Sequence, residues 1–342
     1  MHGGDRYRNK VQHDFSININ PLGMPKSVKE ALLEAADLST SYPDYRAQEL
    51  LEALAREWKQ KTEAICLGNG ASELLMAAAH GLKPKKVLLT APSFTGYEHI
   101  CDAVDAKREY FFLKKDTFSM DESFLDFIKK ETDLIILTSP NNPNGKYIEK
   151  DLLRKILKKA EELDCLVLLD ECFMELSDRP EQSMISELGA WKNLLILRAF
   201  TKSFAIPAVR LGYLLSENRE LLGEIRKHLP EWNLSLAAQK AGIAALKEKE
   251  SLKEARKQIQ KERNYLKNVL EREHFKVADS DSCFLLFQGE EGFYQKLLEE
   301  GILIRDCSDY RGLSKKFYRV AVKGHEENMA FADAIKKCRL VK

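Results

Sequence analysis

Across the first two thirds of the chain, short apolar runs alternate with longer stretches in which apolar residues recur every three or four positions. The runs Lys86–Thr90, Asp133–Thr138, Cys165–Asp170, Leu194–Arg198 and Leu211–Leu215 are nearly continuous in Val, Ile and Leu. That is the pattern of strands buried on both faces. Asp151–Leu163 carries the helical spacing instead. Strand and helix in alternation predict a mostly parallel sheet with helices on both sides. From about Leu236 the texture changes. Leu236–His274 is a long, charge-rich helical stretch, predicted to break once near Glu248–Ser251. After it, Cys283–Gln288, Ile302–Arg305 and Phe317–Val322 read as short strands. The expected fold class is α/β, with a large domain around a mostly parallel central sheet and a smaller α+β domain at the C-terminal end.

A length of 342 residues accommodates such a pair of domains. Fifty-four Lys and Arg against 53 Asp and Glu leave a formal net charge of +1. No surplus remains for gripping a nucleic-acid backbone or an anionic membrane, so a small molecule is the expected partner. The seven cysteines are odd in number, scattered and without a CxxC pair, which argues against a disulfide framework or a structural metal site. The first fifteen residues lack the apolar core of a secretion signal, and no segment reaches the roughly 18 apolar residues needed to span a bilayer. A cytoplasmic location is expected.

Four segments carry chemistry, and each follows or closes a structural element. In RAFTKSFAIPAVRLGY (Arg198–Tyr213), Lys202 leaves a strand end just after Thr201, with Arg210 eight residues on. A lysine desolvated there has a lowered pKa and becomes nucleophilic enough to form a Schiff base with an aldehyde. Asp170 closes the run CLVLLD, and a carboxylate at the carboxyl end of a buried strand points into the crevice where open α/β sheets bind ligands. It can keep a pyridine nitrogen protonated. SPNNPNG (Ser139–Gly145) is a rigid turn from which Asn142 can present an amide donor. GNGASE (Gly68–Glu73) introduces a helical pattern over Leu74–Leu82; small residues at a helix N-terminus leave backbone N–H groups free for a phosphate. It is not a dinucleotide fingerprint, because Glu73 stands at the third glycine position.

In chain order, these features resemble the aspartate aminotransferase superfamily, fold type I of the pyridoxal 5′-phosphate enzymes, over nearly the whole chain. The resemblance implies pyridoxal 5′-phosphate as cofactor, with Lys202 linked to it, Asp170 on its ring nitrogen, Asn142 at its phenolic oxygen O3′ and Phe94 of APSFTGY stacked on the ring. It implies a phosphate site of Gly70, Ala71, Ser72, Thr201 and Arg210, joined by Tyr42 of SYPDY from a neighbouring subunit, and hence a homodimer. It divides the chain into an N-terminal arm and first helix packing on the small domain (1–35), a large cofactor-binding domain (36–235) and a small domain (236–342).

Within the superfamily, HGG at His2–Gly4, DFSININPLG at Asp14–Gly23 and the Lys202 segment resemble the threonine-phosphate decarboxylases of cobalamin synthesis more than the histidinol-phosphate aminotransferases. Where many of those aminotransferases have DEAY, this chain has DECF (Asp170–Phe173), without the tyrosine hydroxyl. The decarboxylase resemblance implies that Arg305 and Arg319, with Gly4 and Asn20 of the arm, bind the substrate's acidic groups. Guanidinium forks suit carboxylate and phosphate. The implied reaction takes L-threonine O-3-phosphate to (R)-1-aminopropan-2-ol O-phosphate and CO2, or L-serine phosphate to ethanolamine phosphate, for cobamide nucleotide-loop assembly. The alternatives are a histidinol-phosphate-type aminotransferase and a non-catalytic binding or regulatory protein of the same fold. His2, His13 and Arg311 receive no role from sequence.

Overall fold

The computed structural model describes residues 3–340. A two-residue strand β1 (His13–Asp14) and helices α1 (Lys26–Asp37) and α2 (Gln48–Trp58) lead into β2 (Ile65–Gly68), α3 (Ala71–Leu82), β3 (Lys86–Ala91), α4 (Gly96–Asp102) and β4 (Lys107–Phe112). Then come β5 (Leu134–Thr138), α5 (Lys150–Glu162), β6 (Leu166–Asp170), β7 (Leu194–Ala199), the single turn α6 (Phe200–Ser203), β8 (Gly212–Leu215) and α7 (Arg219–Arg226). Strands β2 to β8 form one sheet in the order β2-β8-β7-β6-β5-β3-β4. The pairs from β4 through β7 are parallel, and β8 runs antiparallel to both of its neighbours. As a result, the carboxyl ends of β2, β3, β5, β6 and β7 meet the start of β8 along one edge.

Alternation of side chains explains why these strands are apolar throughout. Leu88, Ile135, Val167 and Ile196 enter one core with Leu50 of α2 and Ile156 of α5. Their chain neighbours Leu89, Ile136, Leu168 and Leu197 enter a second core with Leu75 of α3 and Ile225 of α7. Each strand thus feeds a core on either face of the sheet. The seven cysteines are buried and free.

Helices α8 (Leu236–Ala245) and α9 (Lys249–Arg272) open the C-terminal part, followed by β9 (Lys276–Val277), β10 (Phe284–Gln288), α10 (Phe293–Glu299), β11 (Ile302–Leu303), β12 (Arg305–Asp306), β13 (Phe317–Ala321) and α11 (His325–Leu340). A four-stranded sheet in the order β12-β13-β10-β9 packs with Leu266 and Leu270 of α9, Phe331 of α11 and Phe15 of the arm. The arm is tied down further by the parallel pairing of β1 with β11.

Three sequence expectations differ from the fold. Strands β2 and β4 went unread: ICLG is very short, and KREYFF is an edge strand whose exposed, charged positions hide its apolar ones. The single strand expected at Ile302–Arg305 is two, because Ile302 pairs toward β1 while Arg305 pairs toward β13, with Ile304 as the switch between sheets. The break in the long helical stretch falls between Ala245 and Lys249. Here Ala238, Ala241 and Ala245 of α8 join Val28 of α1 in a core of the large sheet. The boundary expected at 236 therefore falls just before a helix that also covers that sheet, and α1 packs against that helix.

Candidate active site

A cavity of about 250 Å3 lies at the edge where the strand ends converge. Ten of the fourteen residues singled out from the sequence line it: Ala71, Ser72, Phe94, Asn142, Asp170, Thr201, Lys202, Arg210, Arg305 and Arg319. They arrive from both units. Asp170 ends β6, Lys202 sits in the turn after β7, Arg210 precedes β8, and Arg305 and Arg319 come from β12 and β13.

The spacing of Asp170 and Lys202 rests on a buried ion network that the sequence did not suggest. Arg198 at the end of β7, 2% exposed, donates to Glu171 at 2.8 Å and to Glu175 at 2.5 Å. Glu175 also accepts from Ser203 at 3.0 Å. The segments after β6 and after β7 are thus clamped together one residue beyond Asp170 and one beyond Lys202. Removing one partner of a buried pair of this kind costs about 3–5 kcal/mol, because a charge is stranded.

Asp170 accepts the Cys172 backbone N–H at 2.9 Å and the Tyr97 hydroxyl at 2.7 Å. Burial pushes its carboxyl above the ordinary range, while those donors and Lys202 pull it back toward the ionised form. Tyr97 also lies 2.7 Å from Thr138 Oγ1, so the phenol can accept from the threonine while donating to the carboxylate. The motif APSFTGY contains Tyr97, but only the fold shows that it reaches Asp170. Burial first, then the positive charges of Arg319 and Arg210, hold the Lys202 amine below the usual lysine range. Its Nζ lies 5.9 Å from the centre of the Phe173 ring.

The SPNNPNG turn sorts its asparagines by job. Asn141 Nδ2 donates to the Pro92 carbonyl at 3.0 Å and to Asn144 at 2.9 Å, and Asn144 donates to the Phe118 carbonyl at 2.7 Å. With those two tying the turn, Asn142 is left to face the cavity. At the other end, α3 begins at Gly70 without a side-chain cap. Gly70 has φ +83°, and a Cβ there would stand 2.5 Å from Arg210 Nη2, so only glycine lets the guanidinium lie over the helix N-terminus. Glu73 steadies that corner by accepting from the Asn69 N–H at 2.6 Å and from Asn233 at 2.8 Å.

Arg305 and Arg319 are 4% and 6% exposed. Arg305 Nη2 is held by both oxygens of Asp309 at 2.9 Å. Arg319 donates to Asn142 and Tyr310 through Nη1 and to the Ser16 carbonyl at 2.9 Å through Nη2. Its Nε is buried with no partner among the described residues.

Four predicted residues do not line the cavity. Gly70 lies behind Arg210. Gly4 has φ +87° and donates its N–H to Ser16 at 2.7 Å. Asn20 spends its amide on the Ser203 carbonyl at 2.8 Å and accepts from Leu22 at 2.9 Å. The arm instead reaches the cavity with Gly3, Ser16, Ile17 and Asn18, and Asn18 Oδ1 is a buried acceptor without a partner among the described residues. Tyr42 is 84% exposed against Trp232, 5.4 Å between ring centres. His2 lies outside the described residues, and His13 pairs its backbone with Ile302, its ring 3.8 Å from Glu327.

No helix among the described residues is long and apolar enough to cross a membrane. Residues 10–335 match the family model described as Aminotransferase class I and II. A protein of Caldanaerobacter subterraneus subsp. tengcongensis that carries the threonine-phosphate decarboxylase name is 35% identical over 98% of this chain and 93% of its own length. The threonine-phosphate decarboxylase of Salmonella typhimurium is 30% identical over 94% of this chain and 90% of its own. Among solved structures, the histidinol-phosphate aminotransferase from Clostridium acetobutylicum superposes with a TM-score of 0.89 at 32% identity, over 95% of this chain and 98% of that one. The donor set fits the cofactor of such enzymes: a depressed lysine, a buried carboxylate, an amide and a glycine-opened helix N-terminus under an arginine. The chain belongs to the class I and II aminotransferase family, and its cofactor is pyridoxal 5′-phosphate.

Proposed function

We propose that this chain decarboxylates a phosphorylated amino acid, L-threonine O-3-phosphate or L-serine phosphate, to the corresponding amino alcohol phosphate and CO2 in the cytoplasm, for assembly of a cobamide nucleotide loop. The observation that carries the reading is the pair of buried arginines, Arg305 and Arg319, on the same cavity as Lys202, Arg319 with an Nε that has no partner among the described residues. An unpaired buried donor on a cation is expensive, and an acidic ligand group relieves it. Together the two guanidinium groups suit a substrate with two acidic groups. The similarity to threonine-phosphate decarboxylases supports the same reading, as does the absence of a hydroxyl at Phe173.

Each residue then has a task. When bound, pyridoxal 5′-phosphate supplies an aldehyde for the substrate amine and a ring that accepts the electron pair of the bond that breaks. Lys202 holds the cofactor at rest, and its depressed pKa favours the neutral, nucleophilic amine. Asp170 holds a proton at the ring nitrogen. Asn142, its oxygen taken by Arg319 and Tyr310, would offer Nδ2 to the phenolic oxygen, and the Phe94 ring would back the cofactor. Ala71, Ser72, Thr201 and Arg210 hold the cofactor phosphate over the glycine-opened helix. Arg319 and Arg305 would hold the substrate carboxylate and phosphate and so fix the direction of the bond to the carboxylate. Lys202 returns a proton to Cα once CO2 has left. The exposed Tyr42, Tyr45 and Trp232 cluster is the face for a second copy, from which Tyr42 reaches the partner's phosphate site.

A second reading, transamination of a histidinol-phosphate-like amine, is favoured by the likeness to the Clostridium acetobutylicum enzyme. Incubation with O-phospho-L-threonine, O-phospho-L-serine and L-histidinol phosphate separates the two. CO2 release without 2-oxoglutarate is expected from one of the phosphorylated amino acids. A 2-oxoglutarate-dependent oxo product from histidinol phosphate, with no CO2 from the others, overturns the proposal.

A further inference from the structure

Arg305, Asp309, Tyr310 and Arg311 share one short segment whose side chains bond to one another, to the cavity and to the large unit. Asp309 holds Arg305 at 2.9 Å. Tyr310 is 3% exposed; its hydroxyl donates to Asn142 Oδ1 at 3.3 Å and accepts from Arg319 Nη1 at 3.3 Å, while its ring carries the Arg305 guanidinium at 5.1 Å. Arg311 leaves the small unit altogether. It reaches Glu98 of α4 at 2.8 and 3.4 Å and lies 4.3 Å over the Tyr110 ring. Tyr110 in turn donates to the same carboxylate at 2.9 Å. Glu98 stands next to Tyr97, whose hydroxyl holds Asp170.

Resting on the reading above, we propose that Tyr310 is a positioning residue that locks the cofactor-facing amide of Asn142 to the substrate-facing guanidinium of Arg319, with Arg311 as the pin that keeps it in place. The hydroxyl, Asn142 Oδ1 and Arg319 Nη1 form a closed triangle. Within it, Asn142 can present only Nδ2 to the cavity, and the Arg319 plane is set before any ligand arrives. A preset guanidinium plane would decide the angle at which a carboxylate is held, and with it which bond at Cα is set to break. One phenol thus joins electron acceptance to bond selection. Tyr310 brings a phenol to Asn142 from the other unit.

Tyr310→Phe removes only the hydroxyl, because the ring packs with Phe118, Leu286 and Cys307 and fills the same space. Two readouts on the holoenzyme test the lock. In the first, cofactor absorbance is titrated with O-phospho-L-threonine and L-histidinol phosphate. Loss of a hydrogen bond to a charged group predicts a dissociation constant raised about tenfold or more for the ligand that wild type binds, together with a larger share of turnovers ending in amino transfer. The second needs no substrate: an Asn142 free to turn donates less well to the phenolic oxygen, leaving it more basic, so the pH at which the cofactor's visible absorbance changes should move up. Arg311→Ala, outside the cavity, should shift both readouts the same way by a smaller factor. Its difference from wild type should shrink at high salt, since the half-exposed Arg311–Glu98 pair is screened. A Tyr310→Phe enzyme with wild-type dissociation constant, partition and absorbance transition overturns the inference. If that variant does not fold, an Arg311→Ala enzyme unchanged in all three overturns it instead. Failure of wild type to release CO2 would overturn the decarboxylase reading while leaving the absorbance transition as a test of the lock.

Discussion

The floor and the rim of the cavity are built by different means. On the floor, Asp170, Lys202 and Asn142 stand at the ends of adjacent strands, so the sheet registers them with hydrogen bonds that would exist without any site. At the rim, Arg305, Arg319, Asn18 and Tyr310 come from a second sheet, an irregular arm and a loop, and the side chains of Arg305, Arg319 and Tyr310 are oriented by bonds that reach Asp309, Asn142 and the Ser16 carbonyl. The difference suggests a division of labour. In the proposed function the floor would hold the cofactor, and the rim would select the ligand and the bond.

Substitutions on the two sides should therefore fail in different ways. The largest effect belongs to the floor. Lys202→Ala should lose the borohydride-trappable link to the cofactor and at least about a hundredfold to ten-thousandfold in turnover; mass spectrometry after reduction checks the link, and a cofactor still trapped on the protein would contradict the assignment. Next comes the rim. Arg319→Lys keeps the charge but loses the fork, so kcat/KM should fall about 30-fold or more while the cofactor stays bound. An equal loss of cofactor binding in that variant would erase the distinction between floor and rim. The smallest effect is at the phosphate corner. Gly70→Ala forces a Cβ into φ +83° and against Arg210, a strain of about 1–3 kcal/mol, so cofactor affinity should weaken roughly 5-fold to 150-fold, measured by equilibrium dialysis. Wild-type affinity would show that Arg210 does not need that approach.

The floor was legible because its residues announce themselves locally. Asp170 ends an apolar run, Lys202 follows another, and Gly70 precedes a helical pattern. Arg305 and Arg319 were legible only through resemblance, and their company was not legible at all. The arm shows the limit most clearly. Asn18 and Asn20 differ by two positions in SININPLG, and the reading chose Asn20, whose amide the structure gives to the Ser203 carbonyl, while Asn18 lines the cavity. An arm in irregular conformation has no period from which to deduce which side chain turns inward. Glu171 and Glu175 were likewise silent, because a buried ion network is defined by its partner on another strand.

By itself, the sequence determined the alternation of strand and helix and the placing of Asp170, Lys202 and Asn142 at or just beyond strand ends. These follow from periodicities and strand ends set within a few neighbouring residues. Only the tertiary structure decided that Arg319 meets Asn142, 177 positions away, and the Ser16 carbonyl, 303 positions away. It also decided that Tyr310 stands between Asn142 and Arg319 and that Arg311 crosses to Glu98. Such meetings depend on how two separately cored units and an arm settle against each other. That choice is made by the summed packing of many apolar side chains, and no single segment of the sequence encodes it.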